Sequence, residues 1–167
     1  TVELVERLIE SRGAHQHVAV NVDKVVKARK DPDLRRIINQ CALISVDGMP
    51  VVWASRLLGT PLKERVTGVD LFERLMQRAA EKGWRVYLLG ARQDVVDRVR
   101  ALYERKYPGI VICGHRNGYW RPDEEPDVAA RIRDARPDIL FVAISSPMKE
   151  RFLAKYQSFM KVPFAMG

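Results

Sequence analysis

The segment Ile139-Leu140-Phe141-Val142-Ala143-Ile144 is apolar at every position. A strand with one face in water alternates apolar and polar residues. A strand without that alternation is buried on both sides, the usual situation inside a parallel sheet covered by helices above and below.

Strand-length apolar runs recur at 17–22, 42–46, 84–89, 110–113 and 162–166, and helical periodicity fills the gaps between them. Val2, Leu4, Val5, Leu8 and Ile9 share one helical face over 2–11, which Gly13 closes. Asp23 is placed to cap a helix over 24–30, and Asp31-Pro32-Asp33 opens the next. Thr67 with Asp70 three residues later forms a capping-box pattern, and Gly83 supplies the C-terminal stop. Val95, Val96, Val99, Leu102 and Tyr103 mark a helix over 94–107, and a further helix spans 126–135. Gly114–Trp120 reads as a loop too aromatic to be merely solvated. Ser145-Ser146-Pro147 reads as a capped helix start, with the helix running to 156. The segment 50–58 reads as a helix, with Trp53, Leu57 and Leu58 on one face. A hairpin at Asp47-Gly48 is the alternative, since Asp-Gly between apolar runs favours a two-residue turn. Strands alternating with helices define an α/β class: a Rossmann-like parallel sheet with helices on both faces, in a single domain over 1–167.

Composition agrees. With 167 residues, 47% of them hydrophobic, the chain can bury one real core. No run approaches the ~18 apolar residues of a membrane-crossing helix. Thr1-Val2-Glu3-Leu4 opens a polar amphipathic segment, unlike a secretory signal. Cys41 and Cys113 each abut a strand, with no CxxC or zinc spacing, and read as buried thiols of a reducing, cytoplasmic compartment. Lysine and arginine exceed the acids by 29 to 21, a net charge of +8. Such a balance suits nucleic acid, an anionic membrane or phosphorylated substrates, and the arginines are too dispersed to choose among them. A start at Thr1 and an end at Gly167, just after an apolar run, suggest a piece of a longer protein.

In a parallel sheet with right-handed crossovers, the carboxyl ends of the strands share one edge, where ligands bind. The predicted ends carry Asn21, Asp47, Gly90-Ala91-Arg92, His115-Arg116-Asn117 and Ser145-Ser146. Asp47 is the candidate centre: a carboxylate at a strand tip, able to take a proton from a hydroxyl held beside it, or else simply a turn aspartate bonding its own backbone. Gly90 and Arg92 mark either an anion-binding turn or a plain strand–helix turn, since G-x-G-x-x-G and Walker A patterns are both absent. Ser145, Ser146 and Lys149 combine hydroxyls, a helix start and a cation; pure capping is the alternative. Asp31-x-Asp33 reads as a cap, not a metal-sugar motif. His15, His17 and His115 read as core or surface histidines. No metal is expected.

Six segments taken together, Asn21 with its following helix, VDGMPVVWASRLLG, RVTGVDLF, KGWRVYLLGAR, GHRNGYW and ILFVAISSPMKERFL, resemble the WecG/TagA/CpsF family of bacterial glycosyltransferases, collinearly from Val18 to Gly167. The resemblance implies inverting transfer from a UDP-sugar to a hydroxyl of an undecaprenyl-diphosphate-linked saccharide, in the synthesis of exopolysaccharide, capsule, teichoic acid or common antigen. It implies Asp47 as general base, with Asn21 and Arg65 in or near the pocket and no cofactor. It also implies peripheral attachment to the inner face of the plasma membrane and the capacity to form a homo-oligomer. Two departures stand out. Ala19 replaces a frequent threonine, and Lys149 replaces the glutamine of G-x-P-K-Q-E. The family pattern continues beyond the last strand, so the chain is expected to lack a C-terminal segment and to bind its donor weakly. The competing classes are a nicotinamide-binding oxidoreductase, which lacks its glycine fingerprint here, and a basic nucleic-acid module, for which Arg116, Tyr119 and Trp120 are the nearest basic-aromatic cluster.

Overall fold

The structure is a computed structural model that describes residues 1–60 and 67–167. Its strands are β1 (His15–Val20), β2 (Leu43–Val46), β3 (Arg85–Gly90), β4 (Val111–Arg116), β5 (Ile139–Ala143) and β6 (Phe164–Met166). They form one sheet in the order β2-β1-β6-β5-β3-β4, parallel at every pairing. The helices are α1 (Val2–Glu10), α2 (Val22–Lys30), α3 (Pro32–Gln40), α4 (Met49–Leu57), α5 (Gly68–Lys82), α6 (Gln93–Lys106), α7 (Glu125–Ala135) and α8 (Met148–Met160).

The two faces follow from the strand period of two. Val86, Leu88, Ile139, Phe141, Phe164 and Met166 pack with α1, α5 and α6. Their alternates Tyr87, Leu89, Leu140, Val142 and Ala165 pack with α7 and α8. The double burial expected of β5 is met: Ile139, Leu140, Phe141 and Val142 are all buried. A smaller cluster of Val18, Leu34 and Ile38 seats α3 on β1.

Connections β1→β2 and β5→β6 run one way along the sheet, and β3→β4 runs the other. The order therefore reverses between β5 and β3, at Ala143 and Gly90. Such a switch point opens a crevice above the strand ends. Gly90 is needed there for a steric reason. A Cβ on it would stand 2.3 Å from the Ala143 carbonyl oxygen, and its φ is 140°.

Several local expectations change. Asn21, not Asp23, caps α2: its Oδ1 accepts the Lys24 N–H at 2.9 Å. The left-handed residue after α1 is Arg12, and Gly13 instead leaves room for the His15 ring. β4 continues through Gly114, His115 and Arg116, which shortens the aromatic loop. The helix expected over 50–58 does form, as α4, and its hairpin alternative at Asp47-Gly48 does not. Neither serine caps α8, because the Ser145 carbonyl, not a hydroxyl, accepts the Lys149 N–H. The two thiols are half-buried, and burial pushes Cys41 up to about 11 and Cys113 upward.

His17 is fully buried on β1 and meets Ser45 Oγ of β2 at 2.9 Å, a side-chain link between the two paired strands. Burial, with Lys24 and Lys149 nearby, depresses its pKa from 6.5 to about 4. Between those values the unfolded chain takes up a proton that the folded chain refuses. Stability is therefore full above pH 6.5 and falls as pH drops toward 4, by about 3 kcal/mol for this group. His17→Gln keeps a partner for Ser45 but does not titrate. Urea denaturation as a function of pH is expected to show a shallower loss of stability in that window for the variant, and an unchanged slope would refute the assignment.

Candidate active site

Above the ends of β1, β2, β5 and β6 lies a cavity of about 790 Å³. Three helix starts converge on it. Asp47 precedes α4, Thr67 to Asp70 begin α5, and Lys149 lies in the first turn of α8. Phe72, Phe141 and Met166 form apolar wall.

Asp47 is held by its backbone: its N–H donates to the Val20 carbonyl at 2.9 Å, tying the β2 tip to the β1 tip. The Asp47 carboxylate is half-buried and has no hydrogen-bond or ion-pair partner among the described residues. No bond to its own turn backbone is formed, so the carboxylate is left for a ligand. Lys149 shares the cavity, its stem packed against Gly167. Burial and the nearby Lys24 lower the Lys149 pKa, against the pull of Glu150.

Beneath Lys149 lies a buried ion pair. Lys24 Nζ of α2 stands 2.7 Å from Glu150 Oε1 of α8, with side chains 6% and 0% exposed. The contact is off the line of a hydrogen bond, and neither Glu150 oxygen has an aligned donor. The ammonium holds Glu150 below its usual range against the opposing effect of burial. Both Lys24 and Lys149 act on the one buried carboxylate, and of the three only Lys149 lines the cavity, where it is the cation available to an anion.

Two more spaces adjoin. A cleft of about 340 Å³ at the switch point is lined by Ala91, Tyr119, Trp120 and Ser145 among others. An almost wholly apolar pocket of about 370 Å³ runs under Gly90 between Phe72 and α6. Ala143 borders all three spaces.

The sequence-derived candidates divide accordingly. Asp47 and Lys149 meet in one cavity. Ser145 lines the neighbouring cleft, and the Ser146 hydroxyl is buried without a partner. Gly90 belongs to the apolar pocket. Arg92 is exposed and turned onto its own helix, with two guanidinium nitrogens each donating to Asp94 at 3.1 Å. Asn21 caps α2 and does not line the cavity. Arg65 lies outside the described residues. Of the histidines, His17 is core, His15 meets Ser11, and His115 meets Asp97. Asp70 is a lining residue that sequence reasoning treated only as part of a cap. Thr67 Oγ1 accepts its N–H at 3.1 Å, and no bond occupies its exposed carboxylate among the described residues. Among the described residues, no three His, Cys, Asp or Glu side chains gather as a metal-ligand set.

A parallel α/β sheet with an acid, a half-buried lysine and helix starts around one crevice is an arrangement suited to a nucleotide or phosphate ligand. The chain belongs to the glycosyl transferase WecG/TagA/CpsF family, whose profile matches residues 1–167. It is 34% identical over 150 residues to an N-acetylglucosaminyldiphosphoundecaprenol N-acetyl-beta-D-mannosaminyltransferase of Bacillus spizizenii, covering 90% of this chain and 58% of that protein. It is likewise 34% identical over 148 residues to the protein of the same description from Bacillus subtilis, covering 89% and 57%. The chain thus spans less than two thirds of the length of these relatives. Both positions where the sequence departs from the usual family residues, Ala19 and Lys149, line the same cavity as Asp47.

Removing one member of the Lys24–Glu150 pair strands a charge in the interior. Glu150→Leu alone is expected to cost about 3–5 kcal/mol, and Lys24→Met/Glu150→Leu to recover most of that loss. Chemical denaturation of both variants checks this. A double variant no more stable than Glu150→Leu would contradict the coupling.

Proposed function

We propose that this chain carries the catalytic centre of an inverting glycosyltransferase. It moves a sugar from a UDP-sugar to a hydroxyl of an undecaprenyl-diphosphate-linked saccharide during synthesis of a bacterial surface polysaccharide. The observation that carries this reading is the placement of Asp47. Its carboxylate, partnerless among the described residues, shares a cavity with the cation Lys149 in a chain of this family.

The chemistry divides between the two ends of the cavity. A sugar hydroxyl is a poor nucleophile until its proton is removed as the new C–O bond forms, and Asp47 Oδ takes that proton. The bond from the anomeric carbon to the UDP oxygen breaks on the opposite face, so configuration inverts. The departing diphosphate gains negative charge, which Lys149 and the first-turn N–H groups of α8 and α5 stabilise. The base stacks in the switch-point cleft against Tyr119, which is 67% exposed. In this reading the chain itself, without a resident metal or cofactor, meets the charge of the leaving group.

The relatives' names specify N-acetylmannosaminyl transfer to N-acetylglucosaminyl-diphosphoundecaprenol. In this chain a threonine–glutamine pair typical of the family becomes Ala19 and Lys149, which removes a hydroxyl and adds a charge. Donor choice is set where those two side chains face the sugar. The reaction would take place at the cytoplasmic face of the membrane, where a lipid-linked acceptor presents its sugar. No described helix is long and apolar enough to cross the bilayer itself.

Calorimetric titration tests this reading. UDP is expected to bind saturably and NAD not at all. Lys149→Met is expected to weaken UDP by roughly 10- to 100-fold, as befits loss of a charge-assisted contact. Binding of NAD instead of UDP, or an unchanged UDP affinity in the variant, would contradict it.

A further inference from the structure

Helix α4 is one of the least sheltered elements among the described residues. Only Val52 and Ser55 of its nine residues are buried. Met49, Trp53 and Leu57 follow one another at i, i+4 and i+8, so they form a single stripe. They are 38%, 60% and 89% exposed, and the next residue, Leu58, is 77% exposed. Arg56 borders the stripe and is also exposed. Most of the exposed large apolar side chains among the described residues fall between Val22 and Val69, the part of the chain that holds this corner of the sheet. A soluble surface does not need such a stripe, and here it starts two residues after Asp47.

We propose that α4 is the element by which the protein lies on an anionic bilayer, with Met49, Trp53, Leu57 and Leu58 entering the boundary between headgroups and acyl chains. The proposal rests on the lipid-linked acceptor of the preceding section. Three observations favour a bilayer as the occupant. First, the stripe has the composition of an interfacial helix: Trp and Leu on one side, with Arg at the border. Second, its size is wrong for a stable protein interface. A nine-residue helix is about 13 Å long, and one stripe of it falls well short of the ~800 Å² per partner that such an interface buries. Third, its position matches the chemistry. An acceptor anchored by an undecaprenyl chain presents its reacting hydroxyl one sugar and one diphosphate away from the headgroup plane. A helix lying on that surface keeps Asp47, just before its N-terminus, close to the membrane that holds such an acceptor. The net charge of +8 adds attraction to an anionic surface, worth about 1 kcal/mol for each basic residue near it.

The test uses the 167-residue chain and vesicles of phosphatidylcholine and phosphatidylglycerol, a fraction of them with brominated acyl chains. The wild-type chain is expected to float with the vesicles, and its tryptophan emission to be quenched by the brominated lipid. Of the three tryptophans, Trp84 is buried and Trp120 is half-buried against Phe152, so the quenching should vanish in Trp53→Phe. Leu57→Glu/Leu58→Glu is expected to weaken partitioning by at least roughly tenfold while leaving UDP binding unchanged, since neither leucine lines the cavity. Three results would overturn the proposal: no vesicle binding by a chain that binds UDP; binding unaffected by the leucine substitutions or with quenching retained in Trp53→Phe; or a dimer in sedimentation that the leucine variant dissociates, without vesicle binding. Vesicle docking through Trp53 in a chain that fails to bind UDP would leave this surface assigned and strike the donor reading instead.

Discussion

In an all-parallel sheet every strand ends on the same edge, and every following helix begins there. The geometry of this protein depends on that constraint. It brings the ends of β1, β2, β5 and β6 together although they are far apart in sequence. It also delivers the starts of α4, α5 and α8, with their positive dipole ends, to one cavity. The carboxylate and the cation are then placed by short extensions from rigid elements. Asp47 is one residue beyond β2, pinned through its N–H to Val20, and Lys149 is in the first turn of α8.

The second layer of the site is electrostatic. His17, Lys24 and Glu150 lie in the interior, where a charge is tolerated only with a partner. Lys24 and Glu150 join α2 to α8 by a contact that a hydrophobic pair of similar shape could replace without loss of stability. The pair's contribution to the site is electrostatic. It leaves Lys149 as the second cation against a single buried carboxylate, and Lys149 is the one of the three that lines the cavity. His17, held neutral by its surroundings, adds no further charge there at neutral pH.

Much of this was legible from the chain alone, for physical reasons that can be named. Strands and helices were visible because burial on two faces leaves apolar runs such as Ile139–Ala143, while burial on one face leaves a helical period, as in α5. Asp47 was visible because a carboxylate followed by glycine ends an apolar run. The strand order was not legible, since it depends on which helix covers which face. The Lys24–Glu150 pair was hidden by its sequence separation. Arg92 misled, because a cation at a helix start can fold back onto its own first turn, here onto Asp94. Ser145 and Ser146 misled because a carbonyl made the bond expected of a hydroxyl. Asp70 went unrecognised because a residue in a capping pattern can have its backbone used by the cap and its side chain free for a ligand.

The central claim is that Asp47 removes the acceptor proton, and it is tested most directly by the transfer rate of Asp47→Asn. Transfer from a radiolabelled UDP-sugar to a lipid-linked N-acetylglucosaminyl diphosphate would be followed beside calorimetric binding of UDP. Loss of a general base predicts kcat lower by roughly 10²- to 10⁴-fold with UDP affinity essentially unchanged. A kcat near that of the parent chain, or a loss confined to UDP binding, would contradict the account.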